Sequence, residues 1–96
     1  MRITKGGDVV AATTTNKVAP IYPELAKQTR VEGTVRLHTV IDTDGQVIEV
    51  TFVSGPPMLV QSAIDSVKQW RFKPTILQGV PVQVECVLEV NFQLAN

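Results

Sequence analysis

The chain has 96 residues, 44% of them hydrophobic, and its nine basic and nine acidic side chains give a net charge of zero. A chain of this length and composition folds as one domain around a single modest core. The balanced charge creates no long-range field for nucleic acid or anionic lipid, so both partner classes are disfavoured. Its single cysteine excludes an internal disulfide and a cysteine-rich zinc site.

The first 17 residues are rich in glycine, threonine and alanine. This composition predicts a flexible or weakly structured segment, with a short strand over residues 8–14 as its one candidate element. No stretch has the roughly 20 apolar residues of a membrane span, and the start lacks a signal-peptide core. The expectation is a soluble domain over residues 18–96, either a whole protein or a part cut from a longer one.

A short helix opens the patterned region. Pro20 and Pro23 impose extended geometry on the residues before them, and Pro23 suits the first position of a helix. The pattern predicts a helix from about Pro23 to Thr29, with Leu25 and Ala26 facing inward.

A β-hairpin follows. Alternating apolar residues predict strands over about Val31–Ile41 and Gln46–Val53, joined by the turn sequence DTDG with Gly45 at its positive-φ position. Asp42 and Asp44 could also begin a calcium loop. That motif needs a glycine at its sixth position and a glutamate at its twelfth, which this sequence lacks, so a plain turn is favoured.

A second helix and a long strand complete the chain. Apolar residues at helical spacing predict a helix over about Pro57–Trp70, and every even position from Val80 to Leu94 is apolar, which predicts a half-buried strand containing a buried Cys86. The order helix, strand, strand, helix, strand indicates an α+β fold: a three-stranded antiparallel sheet packed on one face by two helices, with a long C-terminal edge strand. The predicted core is Val35, Leu37, Ile41, Val50, Phe52, Leu59, Ala63, Val67, Trp70, Phe72, Val84, Cys86, Leu88, Val90 and Phe92.

The sequence offers no constellation for catalysis. His38 is the only histidine, and on one strand it would lie about 13 Å from Asp42, too far for a hydrogen bond. No phosphate loop or nucleophile motif is present, so we expect no enzyme, no cofactor and no metal. Trp70 and Phe72 could form a base-stacking platform, but a tryptophan at the end of an apolar helical stripe favours a core anchor.

The backbone of the last strand is the strongest functional candidate. Its fifteen residues exceed the eleven and eight of the two other predicted strands, so part of its edge has no partner within a three-stranded sheet. Natural edges are usually blunted by proline or lysine. Pro81 does this at one end only, and residues 83–93 contain neither residue type. This pattern predicts an edge to which a partner protein adds a strand.

Several motifs follow one another in order along the chain: P-x-Y-P-x-x-A at residues 20–26, V-x-G-T-V at 31–35, I-D-x-D-G-x-V at 41–47, V-S-G at 53–55 and A-x-x-x-V-x-x-W-x-F-x-P at 63–74. Gly79 and the alternating last strand complete the set. The run from about Lys17 to Leu94 resembles the C-terminal domain of TonB, the energy transducer of Gram-negative bacteria. Each motif alone is weak, but their ordered combination is specific.

The resemblance implies a periplasmic domain of a protein anchored in the inner membrane, where motor proteins use an ion gradient. It implies that the domain binds the TonB box, an extended segment of an outer-membrane transporter, as an added strand, and transmits energy that opens the transporter for cargo such as iron siderophores. It also places residues 19–22 near the transporter plug. The implied partner-binding residues are Ala19, Pro20, Tyr22, Val82, Gln83, Val84, Glu85, Val87, Glu89 and Asn91.

Two alternatives stay open. The long strand could pair with its own copy in a homodimer, or the chain could be a TonB-like adaptor domain of another envelope protein. Well-studied members of the family carry a glutamine where this chain has Ala19. We therefore expect recognition to depend on backbone pairing more than on that side chain.

Overall fold

The computed structural model describes residues 2–5 and 14–94. The predicted strand over residues 8–14 lies outside the described residues except for Thr14. The elements in chain order are β1 Arg2–Lys5, β2 Thr14–Asn16, α1 Glu24–Gln28, β3 Gly33–Ile41, β4 Val47–Ser54, α2 Pro57–Val67, β5 Arg71–Phe72, β6 Thr75–Leu77 and β7 Val80–Phe92.

The main sheet has five strands. Its order is β1-β7-β3-β4, with β6 also paired to β7, while β2 and β5 form a separate two-stranded sheet. The pairings of β7 with β3 and β6 and of β3 with β4 are antiparallel, and β1 runs parallel to β7. The predicted α+β class, with two helices and an antiparallel sheet, is therefore confirmed.

Two strands of this sheet, β1 and β6, were not predicted. The sequence had indicated that β7 is an edge strand over its whole length. In the structure, β1 and β6 each pair with part of it. Both added strands have only three or four residues, too few to show a period of two. The β6–β7 hairpin turns at Gln78 and Gly79, whose φ values of 51° and 80° fit the tight turns that favour glycine.

The β3–β4 turn forms as predicted. The Asp42 carboxylate accepts hydrogen bonds from the backbone N–H groups of Asp44, at 2.9 Å, and Gln46, at 3.0 Å. Gly45 has a φ of 88°, and a side chain there would begin 1.9 Å from the carbonyl oxygen of Phe72. The aspartate at position 42 thus closes the turn, and Gly45 lets the strand after α2 approach it.

The core lies between the sheet and the helices. Thirteen of the fifteen predicted core residues are buried in one cluster, and Val50 is half-buried against it. Phe52 was wrongly placed, because β4 is the outermost strand and leaves this side chain 45% exposed. Leu25 was also wrong: it is 58% exposed, and only Ala26 of the first helix is buried.

The two helices are shorter than predicted. In particular, α2 ends at Val67 and continues as a turn in which the N–H of Trp70 donates to the carbonyl of Val67 at 3.0 Å. This turn brings the Trp70 ring into the core with 4% exposure. None of the helices in the described part of the chain is long and apolar enough to cross a membrane.

Candidate partner-binding edge

The outer edge of β7, on the side away from β3, is occupied along only part of its length. Towards β3, nine consecutive residue pairs run from Gly33–Phe92 to Ile41–Val84 without a register shift. On the outer side, β1 pairs with Gln83–Cys86. The start of the strand, Val80–Val82, pairs with β6. Within residues 2–5 and 14–94, no strand covers the outer side of residues 87–92, which we call the open edge.

The side chains of β7 are already engaged on both faces of the sheet. Its even residues from Val82 to Phe92 are buried. Three of its polar side chains contact β3 on the opposite face: Glu85 Oε1 lies 2.6 Å from His38 Nε2, Arg36 Nε donates to Glu89 Oε2 at 2.8 Å, and Thr34 Oγ1 donates to Asn91 Oδ1 at 2.5 Å. The open edge therefore offers mainly backbone N–H and C=O groups.

An extended segment of residues 17–23, which we call the anchor segment, runs beside α2. The carbonyl of Val18 accepts hydrogen bonds from Trp70 Nε1, at 2.9 Å, and from Ser66 Oγ, at 2.5 Å. The carbonyl of Ile21 accepts one from the Ser62 hydroxyl. The helix thus fixes the backbone of this segment, which its two prolines already hold extended.

Tyr22 attaches the end of the anchor segment to the sheet. Its hydroxyl donates to the carbonyl of Val31, and its ring meets the ring of Phe92 edge to face with centroids 5.5 Å apart. Burial, with the negative charge of Glu32 as a smaller cause, raises the pKa of the Tyr22 phenol. The residue is half-buried, so its role is to position the segment rather than to offer a free side chain.

A pocket of about 310 Å³ lies between the anchor segment and the end of the open edge. Its lining residues are Lys17, Val18, Ala19, Pro20, Trp70, Glu89, Val90 and Asn91. The Lys17 ammonium stands 5.0 Å from the centre of the Trp70 ring, a cation–π distance. The pocket thus combines three residues of the open edge with an apolar wall and the charged side chains of Lys17 and Glu89.

A second groove, of about 550 Å³, lies on the other side of the anchor segment against α2. Ala19 borders both spaces. In the second groove Ile21 is 84% exposed and Met58 is 42% exposed. An apolar surface therefore continues from the pocket across the anchor segment to the helix.

The structure brings together one part of the predicted partner-binding set and separates another. Ala19, Pro20, Glu89 and Asn91 meet at the pocket. The residues Val82, Gln83, Val84 and Glu85 lie where β6 and β1 already pair with β7. Val87 begins the open edge between these two groups.

Sequence reasoning missed Lys17, Val18 and Val90 as pocket residues, and the second role of Trp70. Trp70 was expected in the core, where it is, but its indole N–H also holds the Val18 carbonyl. Because a buried Trp N–H needs an acceptor, the sequence carried a signal that some backbone carbonyl would be drawn to it. Nothing in the sequence showed which carbonyl. In the described residues there is no group of three His, Cys, Asp or Glu side chains that could hold a metal ion.

The family described as Gram-negative bacterial TonB protein C-terminal matches residues 18–94, most of the chain. The chain belongs to this family. The TonB match covers residues 18–23 of the anchor segment and the whole open edge, and it begins after β1 and β2.

Similar proteins agree with this assignment. The chain is 39% identical over 80 residues to Protein TonB of Vibrio cholerae, covering 81% of this chain and 33% of that protein. It is 41% identical over 58 residues to Protein tonB2 of Pseudomonas aeruginosa, covering 58% of this chain and 22% of that protein. The chain thus spans a third or less of these relatives.

Solved structures show the same fold. The solution structure of the Pseudomonas aeruginosa TonB C-terminal domain matches with a TM-score of 0.72 at 22% identity and covers 86% of each chain. A structure of the TonB2 protein from Vibrio anguillarum matches with a TM-score of 0.65 at 30% identity, covering 88% of this chain and 82% of that one. At 22% identity the first comparison supports the fold alone.

Proposed function

We propose that this chain is the transporter-binding domain of a TonB-like energy transducer. Its open edge accepts a short extended segment of an outer-membrane transporter, the TonB box, as an added strand. The observation that carries this proposal is the regular backbone of residues 87–92, which no strand within residues 2–5 and 14–94 covers, next to the pocket formed with the anchor segment. Family membership supports the transducer role.

The open edge suits a reversible contact. In an antiparallel strand, alternate residues direct both backbone groups to the same side, so six residues present about six hydrogen-bonding groups to a partner. Each bond contributes about 1 kcal/mol net, and ordering a flexible peptide costs about 1–2 kcal/mol per residue. The backbone bonds alone therefore do not exceed the ordering cost. Side-chain contacts in the pocket supply the net affinity, which keeps the contact weak enough to reverse.

The larger groove provides a second contact to the same partner. We place residues 19–22 against the transporter plug, where the exposed Ile21 and Met58 bury apolar surface. A pulling force on the bound transporter segment is then resisted both by the backbone hydrogen bonds at the open edge and by apolar packing against α2. In the cell, this domain would work in the periplasm, linked to an inner-membrane anchor and to motor proteins by parts of the protein outside this chain.

A peptide titration tests the proposal without altering the fold. Peptides matching the TonB box of a transporter from the same organism are added to isotope-labelled protein, and the amide signals of residues 87–92 are followed. We expect shifts there and in residues 17–20. Shifts confined to other strands would contradict the proposed edge.

A matched pair of modified peptides separates strand addition from side-chain binding. One peptide carries N-methyl groups at its odd backbone positions and the other at its even positions. Only one of these two sets of backbone N–H groups faces β7 when the peptide is bound as a strand. We therefore expect one peptide to lose at least about tenfold in affinity and the other to bind like the parent. Equal affinities would exclude strand addition.

Self-pairing of the open edge in a homodimer is the competing outcome. Sedimentation over a range of protein concentrations distinguishes it, because a homodimer dissociates on dilution whereas a peptide-binding monomer does not change. A dimer whose dissociation restores the amide signals of residues 87–92 would assign the edge to a second copy instead.

A further inference from the structure

The first strand of the chain occupies the same edge of the sheet as the proposed partner site. β1 pairs in parallel with β7 through four residue pairs: Arg2–Gln83, Ile3–Val84, Thr4–Glu85 and Lys5–Cys86. β1 and β3 lie on opposite sides of β7. The last β7 residue that β1 covers is therefore adjacent to Val87, where the open edge begins.

We propose that β1 is an internal strand that competes with the transporter segment for the outer edge of β7. With β1 in place the partner site is limited to residues 87–92, and displacement of β1 extends it to Gln83. This inference rests on the proposed function, because it assigns a regulator to the same edge.

The geometry of β1 makes it a removable strand. It has four residues, and among the described strands β7 is its one neighbour. Parallel pairing is slightly weaker per residue than antiparallel pairing, and the net gain of a few backbone hydrogen bonds nearly cancels against the entropy of ordering the segment. A partner strand that forms a longer ladder can therefore replace it.

Its attachment to the rest of the domain keeps β1 close to its site. β2, at Thr14–Asn16, pairs with β5 and holds the chain nine residues after Lys5. A tether this short maintains a high effective concentration of β1 near β7, which a free peptide must overcome. The family match begins at residue 18, so β1 lies outside the residues that this chain shares with the family model.

Proline substitutions in the full chain test the competition. The backbone N–H groups of successive strand residues point to opposite edges of the strand. The double variant Ile3→Pro with Thr4→Pro therefore removes a donor from each edge of β1, including the one that faces β7, and leaves the sequence of residues 14–94 unchanged. Its matched control is Ile3→Val with Thr4→Val, which keeps β-branched residues and every N–H. Both proteins are titrated with the TonB-box peptide, and amide hydrogen exchange is measured at Gln83–Cys86 and, as a fold control, at Val35 and Leu37.

We expect the proline variant to bind the peptide about 3–10-fold more tightly, since apparent affinity scales with the fraction of molecules whose edge is free. Peptide-induced shifts should spread from residues 87–92 into residues 83–86, and exchange at Gln83–Cys86 should rise without peptide. The valine control should match the parent.

The possible failures are distinguishable. If both variants bind at residues 87–92 with the parent's affinity and shifts, β1 does not compete, and the proposed function stands alone. If exchange at Gln83–Cys86 is unchanged by the prolines, β1 does not protect the edge, which overturns the inference directly. If no variant binds peptide, the proposed function fails and the competition with it.

Discussion

The two outer margins of the main sheet are built differently. On β4, the register with β3 shifts twice, leaving Ile48 and Val53 as extra residues without a direct partner. On β7, nine pairs with β3 follow one another without a shift. A bulge bends and twists an edge so that a further strand cannot pair smoothly with it. The sheet therefore protects its β4 edge and leaves part of the β7 edge regular.

The exposed apolar side chains do not mark the edge that we propose for the partner. Ile48 and Val53, the two bulge residues, are 48% and 51% exposed. Along β7, by contrast, the even-numbered apolar side chains from Val82 to Phe92 are buried, and Val87 is half-buried. If the partner adds to β7 as we propose, ladder regularity, rather than exposed hydrophobic surface, decides which edge accepts a strand.

Removing the Trp70 ring should have the largest effect, because it supports the core and the anchor segment beside the open edge. The buried ring would leave a cavity, so we expect Trp70→Ala to lower the free energy of unfolding by about 3–5 kcal/mol. That is a large fraction of the stability of a small domain. Urea unfolding followed by circular dichroism measures it.

Trp70→Phe is the matched control for this change. It keeps most of the packing but loses the hydrogen bond to the Val18 carbonyl. We expect a loss of about 1–2 kcal/mol, together with shifted amide signals in residues 17–20. A loss below about 1 kcal/mol in Trp70→Ala would show that the ring is not a core anchor.

A proline in the open edge should come next. Val87→Pro removes a ladder N–H in the middle of β7, and we expect peptide affinity to fall at least tenfold, equivalent to about 1.4 kcal/mol or more. Val87→Thr keeps the N–H and the branched shape, and should bind like the parent. Calorimetric titration measures both, with circular dichroism as the fold control; unchanged binding by a folded Val87→Pro would place the partner elsewhere.

Removing the bulges should make the β4 edge resemble the β7 edge. Deleting Ile48 and Val53 gives β4 a continuous register with β3. We expect the variant to self-associate at concentrations where the parent does not, because a flat edge pairs with its own copy. Sedimentation of the deletion variant and of an Ile48→Ala, Val53→Ala control measures this; association by the alanine control would indicate that the side chains, not the bulges, matter.

Reversing a charge on β7 should have the smallest effect. Arg36 and Glu89 form an ion pair whose side chains are 57% and 50% exposed. Exposed pairs contribute little, so Glu89→Lys should change stability by less than about 1 kcal/mol and peptide affinity by less than about threefold. Glu49→Lys on β4 is the matched control and should leave peptide affinity unchanged. A tenfold loss in Glu89→Lys would show that this side chain recognises the partner.

Local patterns predicted most of the elements. The alternation on β7 identified its buried face, and Asp42 with Gly45 identified the turn between β3 and β4. The placement of Phe52 failed because period-two alternation says which face a side chain is on, but not whether a helix covers it. Leu25 failed for a similar reason, since a five-residue helix offers too little pattern to define its buried side.

The candidate site was predicted only in outline. The sequence pointed to the last strand and to residues 19–22, and the structure joins these at Asn91 and the pocket. The extent of the open edge could not be predicted. It depends on β1, which lies about eighty residues from β7 in the chain and pairs through backbone groups that every residue type carries.

By itself the sequence determined the fold class, the buried faces of β3, α2 and β7, and the family, because these depend on side-chain periodicity and on motifs read along the chain. Only the tertiary structure decided three further features: which six residues of the last strand no other described strand covers, that one edge of the sheet is bulged and the other regular, and that Trp70 holds the anchor segment. The first two features arise from backbone pairing, and the third from an indole N–H that donates to a backbone carbonyl far away in the chain. Hydrogen bonds between backbone groups leave almost no record in the identity of the side chains.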